Sequence, residues 1–179
     1  MKIALLMDYI EGMAGGEKLL LYLAKHYNAD IYTGFYNKHK TYTDFVQFNI
    51  KELGAFKIAP FKQESCIRKF RKLDLSNYDA TIALGFYCIY AARKNPIIWS
   101  AYGVSPMFYK RGEHPTTLTR KISEWFWRRR IENYDFITVN HYIKKIVAIS
   151  KYSRQAFRDY YGRDTKIIPP PVDMRKHYI

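Results

Sequence analysis

Two cysteines in 179 residues, Cys66 and Cys88, are too few for a disulfide framework and form no CxxC pair. A reduced compartment follows, with both thiols expected as small core residues. The five histidines, His26, His39, His114, His141 and His177, never fall at metal-ligand spacing, and HExxH is absent; no metal and no cofactor are expected. A GxSxG elbow is missing, as is any Cys and His spacing that would recommend a nucleophilic site. GxGxxG is missing too, which leaves a dinucleotide-dependent oxidoreductase a distant reading. No run of 18 apolar residues occurs, and Asp8 and Glu11 interrupt the start where a signal peptide would stay apolar. A cytoplasmic chain, or one peripheral on the inner face of a membrane, is expected.

Acid is also scarce. Sixteen Asp and Glu stand against thirty Lys and Arg, a formal charge of +14. Such a surplus attracts a polyanion or an anionic membrane, or else is spread over a solvated face. Hydrophobic residues make up 48% and aromatics 17%, which excludes disorder and suits one packed domain.

What is present alternates between two patterns. Lys2–Met7, Ala29–Phe35, Asp79–Leu84, Pro96–Ala101 and Lys145–Ile149 read as strands, with Lys166–Ile168 a short one at most. Between them, Leu20, Leu23, Ala24 and Tyr27 keep helical spacing. The stretch from Gly85 to Lys94 is helix-compatible. Thr117 to about Tyr142 lacks Gly and Pro and reads as a long helix, with Trp127, Ile131, Tyr134, Thr138 and Tyr142 as its stripe. Ser150 can cap a helix that ends at Gly162. The segment Asn37–Leu73 gives no clear reading. The alternation predicts an α/β fold: a Rossmann-like, doubly wound, mainly parallel sheet with helices on both faces.

In such sheets ligands bind beyond the carboxyl ends of the strands, so the loops there are the places for chemistry. Gly12–Lys18 follows the first strand; Gly15 and Gly16 would let backbone amides approach a ligand at a helix N-terminus, or simply make a tight turn. Glu17 either caps that helix or accepts from a sugar hydroxyl. Ala101–Arg111 mixes aromatic, polar and basic side chains, with Tyr102, Ser105 and Arg111 suited to ligand contact or anchoring. Ser150 is a cap or a docking point. Lys110, Lys121, Trp125, Trp127, Arg128, Arg129 and Arg130 fit a membrane-facing basic surface. Lys69, Arg71 and Lys72, with Lys57, Lys62 and Arg68, form a second basic group interleaved with Phe56, Phe61 and Phe70.

At these residues the sequence resembles family 4 of the retaining glycosyltransferases, whose two Rossmann-like domains face each other in the GT-B fold. The landmarks are Gly15-Gly16-Glu17-Lys18 before a leucine-rich helix, ADIYTGFY at Ala29–Tyr36, Asp74–Asp79, Tyr134–Ile137, KIVAISKYSRQAFRDYYGRD, and Pro170–Asp173. The resemblance implies an N-terminal, acceptor-side domain over residues 1–168, with 169–179 beginning the linker to a donor-binding domain. It implies transfer of a sugar from a nucleotide-sugar to a glycan or lipid-linked acceptor at a membrane, with Gly15, Gly16, Glu17, Lys18, Tyr102, Ser105, Arg111 and Ser150 on the substrate side. This half alone is expected to turn over little or nothing. Two positions depart from the pattern: the expected histidines are Val104 and Phe86, so no catalytic residue is assigned. The competing reading is a non-catalytic basic module on the same fold that binds anionic membrane or, less favoured, nucleic acid; the latter would weaken steeply with salt.

Overall fold

The computed structural model describes residues 1–58, 61–104 and 131–171. Short strands build a parallel sheet, most deeply buried at β1: β1 (Ile3–Met7), β2 (Asp30–Thr33), β3 (Ile50–Glu52), β4 (Ala80–Ala83), β5 (Ile97–Ala101), β6 (Lys145–Ala148) and β7 (Lys166–Ile167). The order is β3-β2-β1-β4-β5-β6-β7, with every pair parallel. Winding therefore reverses between β1 and β4, which are paired from Ile3 with Ala80 to Leu6 with Ala83. A crevice opens at such a reversal because the loops after the two strands leave in opposite directions.

Side-chain alternation along β1 divides the core in two. Ile3 and Leu5 meet Leu19, Leu20 and Ala24 of α1 (Gly15–Tyr27) and Phe45 of the 3-10 helix Thr43–Gln47. Ala4 and Leu6 face the other layer, with Cys66 and Phe70 of α2 (Lys62–Lys72), the 3-10 helix Cys88–Arg93, and Ala156 and Phe157 of α3 (Lys151–Tyr161). Trp99 on β5 centres that layer, edge-on to Phe157 at 5.2 Å, its indole N–H donating to the Gly85 carbonyl at 3.0 Å. The doubly wound, Rossmann-like architecture expected from the sequence is the one observed, and both cysteines are buried.

Several elements differ from expectation. The helix-compatible stretch after Gly85 forms a 3-10 helix, Cys88–Arg93, with Cys88, Ile89, Tyr90, Ala91 and Ala92 buried. The helix expected to Tyr142 is described from residue 131 and ends in a π turn, Thr138–Tyr142. Its buried face is Ile131, Asp135, Thr138 and Val139, whereas Tyr134 and Tyr142 are exposed. Along α1, Leu20 and Ala24 are buried while Tyr27 is exposed. The unread middle holds the Thr43–Gln47 helix, β3 and α2. No helix among the described residues is long and apolar enough to cross a membrane.

Candidate functional site

Asp8, the first residue after β1, forms the floor of the winding reversal. Its carboxylate is buried and accepts from the backbone N–H groups of Phe86 (2.7 Å), Tyr87 (2.8 Å) and Cys88 (2.7 Å). Its carbonyl accepts from the Gly34 N–H at 2.9 Å. Burial pushes the Asp8 carboxyl above its ordinary range, and the three N–H donors oppose that shift. One residue, through its carboxylate and its backbone carbonyl, thus ties the loops after β1, β2 and β4 together. Gly85 is required for this approach: a Cβ there would lie 2.3 Å from Asp8 Oδ1.

The β1–α1 loop rises from this floor and is braced from outside. Thr41 Oγ1 donates to the Gly12 carbonyl at 2.7 Å, and the Tyr42 hydroxyl donates to the Met13 carbonyl at 3.1 Å. The brace delivers Gly15 and Gly16 as the first turn of α1, behind the N-cap Ala14, which offers no side-chain cap. The early amides of a helix have no intrahelical acceptor, so here they remain available to a ligand. Neither glycine has a positive φ; among the described glycines only Gly54, Gly103 and Gly162 do. A turn that needs glycine for its backbone shape therefore does not account for them. A Cβ at Gly15 would meet nothing within 4 Å, and one at Gly16 would lie 3.1 Å from both Met7 Cε and the Tyr102 hydroxyl.

Tyr102, leaving the carboxyl end of β5, crosses to this same loop. Among the described residues its buried hydroxyl has no hydrogen-bond partner, and burial, with the Glu17 carboxylate nearby, pushes its ionisation upward. Glu17 is only 8% exposed, and no side chain among the described residues caps the start of the helix. Buried polar groups normally find partners, so an orphaned hydroxyl beside a buried carboxylate and uncapped amides makes an arrangement suited to hydroxyl and phosphate oxygens. Lys18 follows, exposed. Among the described residues no His, Cys, Asp and Glu cluster could hold a metal ion.

The sequence-expected residues divide into three groups. Gly15, Gly16, Glu17 and Tyr102 come together. Ser150, at the carboxyl end of β6, lies on the same sheet edge, and its side chain is engaged in a capping box: its Oγ accepts from the Ser153 N–H at 3.1 Å, and its own N–H donates to Ser153 Oγ at 3.1 Å. Ser105, Lys110, Arg111, Lys121, Trp125, Trp127, Arg128, Arg129 and Arg130 lie outside the described residues. Val104 is buried, and Phe86 contributes its backbone N–H to Asp8. On α2, Lys69, Arg71 and Lys72 are exposed, whereas Phe70 points into the core instead of alternating outward with them. Asp8 escaped the sequence reading; its signal is an acid directly after a buried strand in the first strand-to-helix loop.

No family model matches the sequence, and no curated protein matches it. Solved structures do match the fold. Anabaena Alr3699/HepE in complex with UDP-glucose superposes with a TM-score of 0.64 at 18% identity, over 98% of this chain and 45% of that one. The same protein with UDP and glucose gives 0.67 at 19% identity, over 98% and 46%. The apo lipopolysaccharide outer core galactosyltransferase WaaB gives 0.61 at 14% identity, over 97% and 46%. The chain thus spans less than half the length of these proteins, and what it shares with them is a fold: one Rossmann-like half of a GT-B architecture.

Proposed function

We propose that the chain is the acceptor-side half of a retaining glycosyltransferase of the family 4 type, moving a sugar from a nucleotide-sugar to a glycan or lipid-linked acceptor at a membrane surface. One observation carries the reading: at the reversal crevice, α1 begins with uncapped amides at two glycines that the backbone conformation does not require. Such amides stabilise a departing diphosphate or orient a hydroxyl without reorganising during the reaction. Tyr102 and Glu17 supply a donor and an acceptor for sugar hydroxyls beside them. The remaining walls of the donor pocket belong to a second Rossmann-like half. Similarity in fold to a UDP-glucose-binding protein and to a galactosyltransferase supports this division of labour.

The test is hexose transfer from UDP-glucose and UDP-galactose by the full-length protein that carries this segment, with membrane extract as acceptor source. Transfer is expected, and Tyr102→Phe is expected to lower it about tenfold, the worth of one well-placed hydrogen bond. Residues 1–179 alone are expected to show no turnover. Robust transfer by that segment alone, or a Tyr102→Phe protein as active as the unaltered one, overturns the reading.

A further inference from the structure

The helix that enters β6 and the helix that leaves it are fastened to one another by two side-chain bridges. Residues 131–142 run into β6, and α3 runs out of it. The Tyr161 hydroxyl of α3 donates to the Asp135 carboxylate, and the Tyr160 hydroxyl donates to Glu132 Oε1 at 2.8 Å. Asp135 is 4% exposed and Ile131 6%, so the face they share is turned from water.

The carboxyl end of the same helix is anchored differently. Thr138–Tyr142 is a π turn, an irregularity found mostly where a helix has a functional role. The Arg163 guanidinium donates to the carbonyls of Val139, Ile143 (2.6 Å) and Lys144 (3.3 Å). Arg163 therefore holds this end whatever happens at Asp135, and the π turn divides it from residues 131–137.

Asp135 sits in surroundings that favour its neutral form. Facing it are Tyr161 from α3, Tyr90 of the 3-10 helix Cys88–Arg93 with Tyr87 at that helix's N-cap, and Glu132 from its own helix. The Arg71 and Arg93 guanidinium groups lie over the Tyr134 ring and act on Tyr90. Among the described residues Asp135 has no ion pair, and Tyr161 is its one hydrogen-bond donor. Burial pushes its carboxyl up to about 7, against the Tyr161 hydrogen bond and with the Glu132 charge.

We propose that the Asp135–Tyr161 bridge is a proton-operated latch: with Asp135 neutral, residues 131–137 lie against α3, and on loss of the proton to solvent they swing out about the π turn and hydrate the carboxylate. In water Asp135 returns to an ordinary carboxylate, so each pH unit between about 4 and 7 favours the open form about tenfold, with no further change above. A fall in pH therefore stiffens both connections of β6, the strand that ends beside Ser150 on the site's edge of the sheet. The latch involves no substrate and stands apart from the sugar-transfer reading.

Amide hydrogen exchange on the full-length protein, corrected for the intrinsic pH dependence of exchange, tests the latch. Opening of residues 131–137 is expected to grow about a hundredfold from pH 5 to pH 7 and then level off. Subdenaturing urea should leave it unchanged, because so local a movement exposes little surface. Asp135→Asn keeps an acceptor for Tyr161 and cannot ionise; its exchange should be slow and even across the range. Tyr161→Phe removes the bond that favours the charged form, so its rise should continue above pH 7. Protection of residues 131–137 that is constant with pH, that varies equally in Asp135→Asn, or that is lost only together with that of α1 as urea is added overturns the inference. Where Asp135→Asn fails to fold, Tyr161→Phe decides: a rise that still levels off at pH 7 overturns it.

Discussion

Gly15 separates a structural glycine from a functional one. It opens α1 with an ordinary helical backbone, and a Cβ built there meets no neighbouring atom within 4 Å. Gly15→Ala should therefore fold without strain. By restricting the unfolded chain it should gain roughly 0.4–1 kcal/mol, which for a domain of this length raises Tm by about 1–4 °C. Gly15→Leu should fold equally well, since the side chain has open space. The same open space is where a ligand would approach the first-turn amides. Holding a phosphate or sugar oxygen away from one amide forfeits a charge-assisted hydrogen bond of roughly 1.5–3 kcal/mol, about ten- to hundredfold in rate or affinity. The assay pairs thermal melting with hexose transfer by the full-length protein: stability level or higher, transfer progressively lower from Gly to Ala to Leu. A Leu variant that retains transfer within about twofold refutes the steric argument. An Ala variant destabilised by more than about 1 kcal/mol would show that the turn itself needs glycine.

Two further outcomes follow from the packing. Gly85→Ala places a Cβ 2.3 Å from Asp8 Oδ1 and 2.4 Å from its Cγ, and the carboxylate cannot retreat without leaving three N–H donors; a loss of about 1–3 kcal/mol is expected by urea unfolding, and an unchanged midpoint would show that Asp8 does not tie the loops. Asp135, buried with the Tyr161 hydroxyl donating to it, has its carboxyl pushed up to about 7 by burial, from an ordinary 3.8. The folded protein keeps a proton that the unfolded chain releases, so this share of stability is full below about pH 4 and falls as pH rises to about 7, by about 4 kcal/mol. Asp135→Asn should flatten that part of the slope between pH 4 and pH 7 in urea titrations; a slope unchanged by the substitution would refute the assignment.

The strands were legible as short, mostly apolar runs. β1 is an unbroken one, buried from Ile3 to Leu6, because helices cover both sides of a parallel sheet, and β4 and β5 are broken only by Thr81 and Ser100. β3 and α2 were not legible, for related reasons. β3 is a three-residue edge strand with no fully buried side chain, and α2 turns only Cys66 and Phe70 inward, too few for a periodic stripe. The segment from residue 131 misled in a different way. Tyr134 and Tyr142 match the helical period and yet lie outside, over the guanidinium groups of Arg71 and Arg93, while Asp135 takes a core position through its hydrogen bond with Tyr161. Periodicity registers apolar character and is blind to cation–aromatic stacking on a surface and to a buried acid with one good partner. At the proposed site, the glycine pair and Glu17 stand out in the sequence by position. The convergence of Tyr102 on Gly16 depends on β5 lying two strands from β1, a distance in space that local patterns do not carry.

Two helices that begin at the same sheet edge show why the β1–α1 loop, and not the β6–α3 loop, is the one proposed as the site. α3 starts with a complete capping box, Ser150 and Ser153 satisfying one another's amides, and closes with Gly162 in the left-handed conformation; every local choice there favours the helix. α1 starts with an alanine that cannot cap, two glycines of low helix propensity, and a buried glutamate, with no side-chain cap among the described residues. Helix α2 also starts uncapped, at Phe61, but carries no glycine and keeps Glu64 in an ion pair with Arg68. A good cap with ordinary helix formers would stabilise α1 by about 1–2 kcal/mol. Folding stability offers no reason to forgo that amount beside the winding reversal, where a Cβ at Gly15 would meet nothing within 4 Å. Departures from local consistency concentrate where a protein binds or reacts. The start of α1 combines such a departure with a close tyrosine hydroxyl at Gly16.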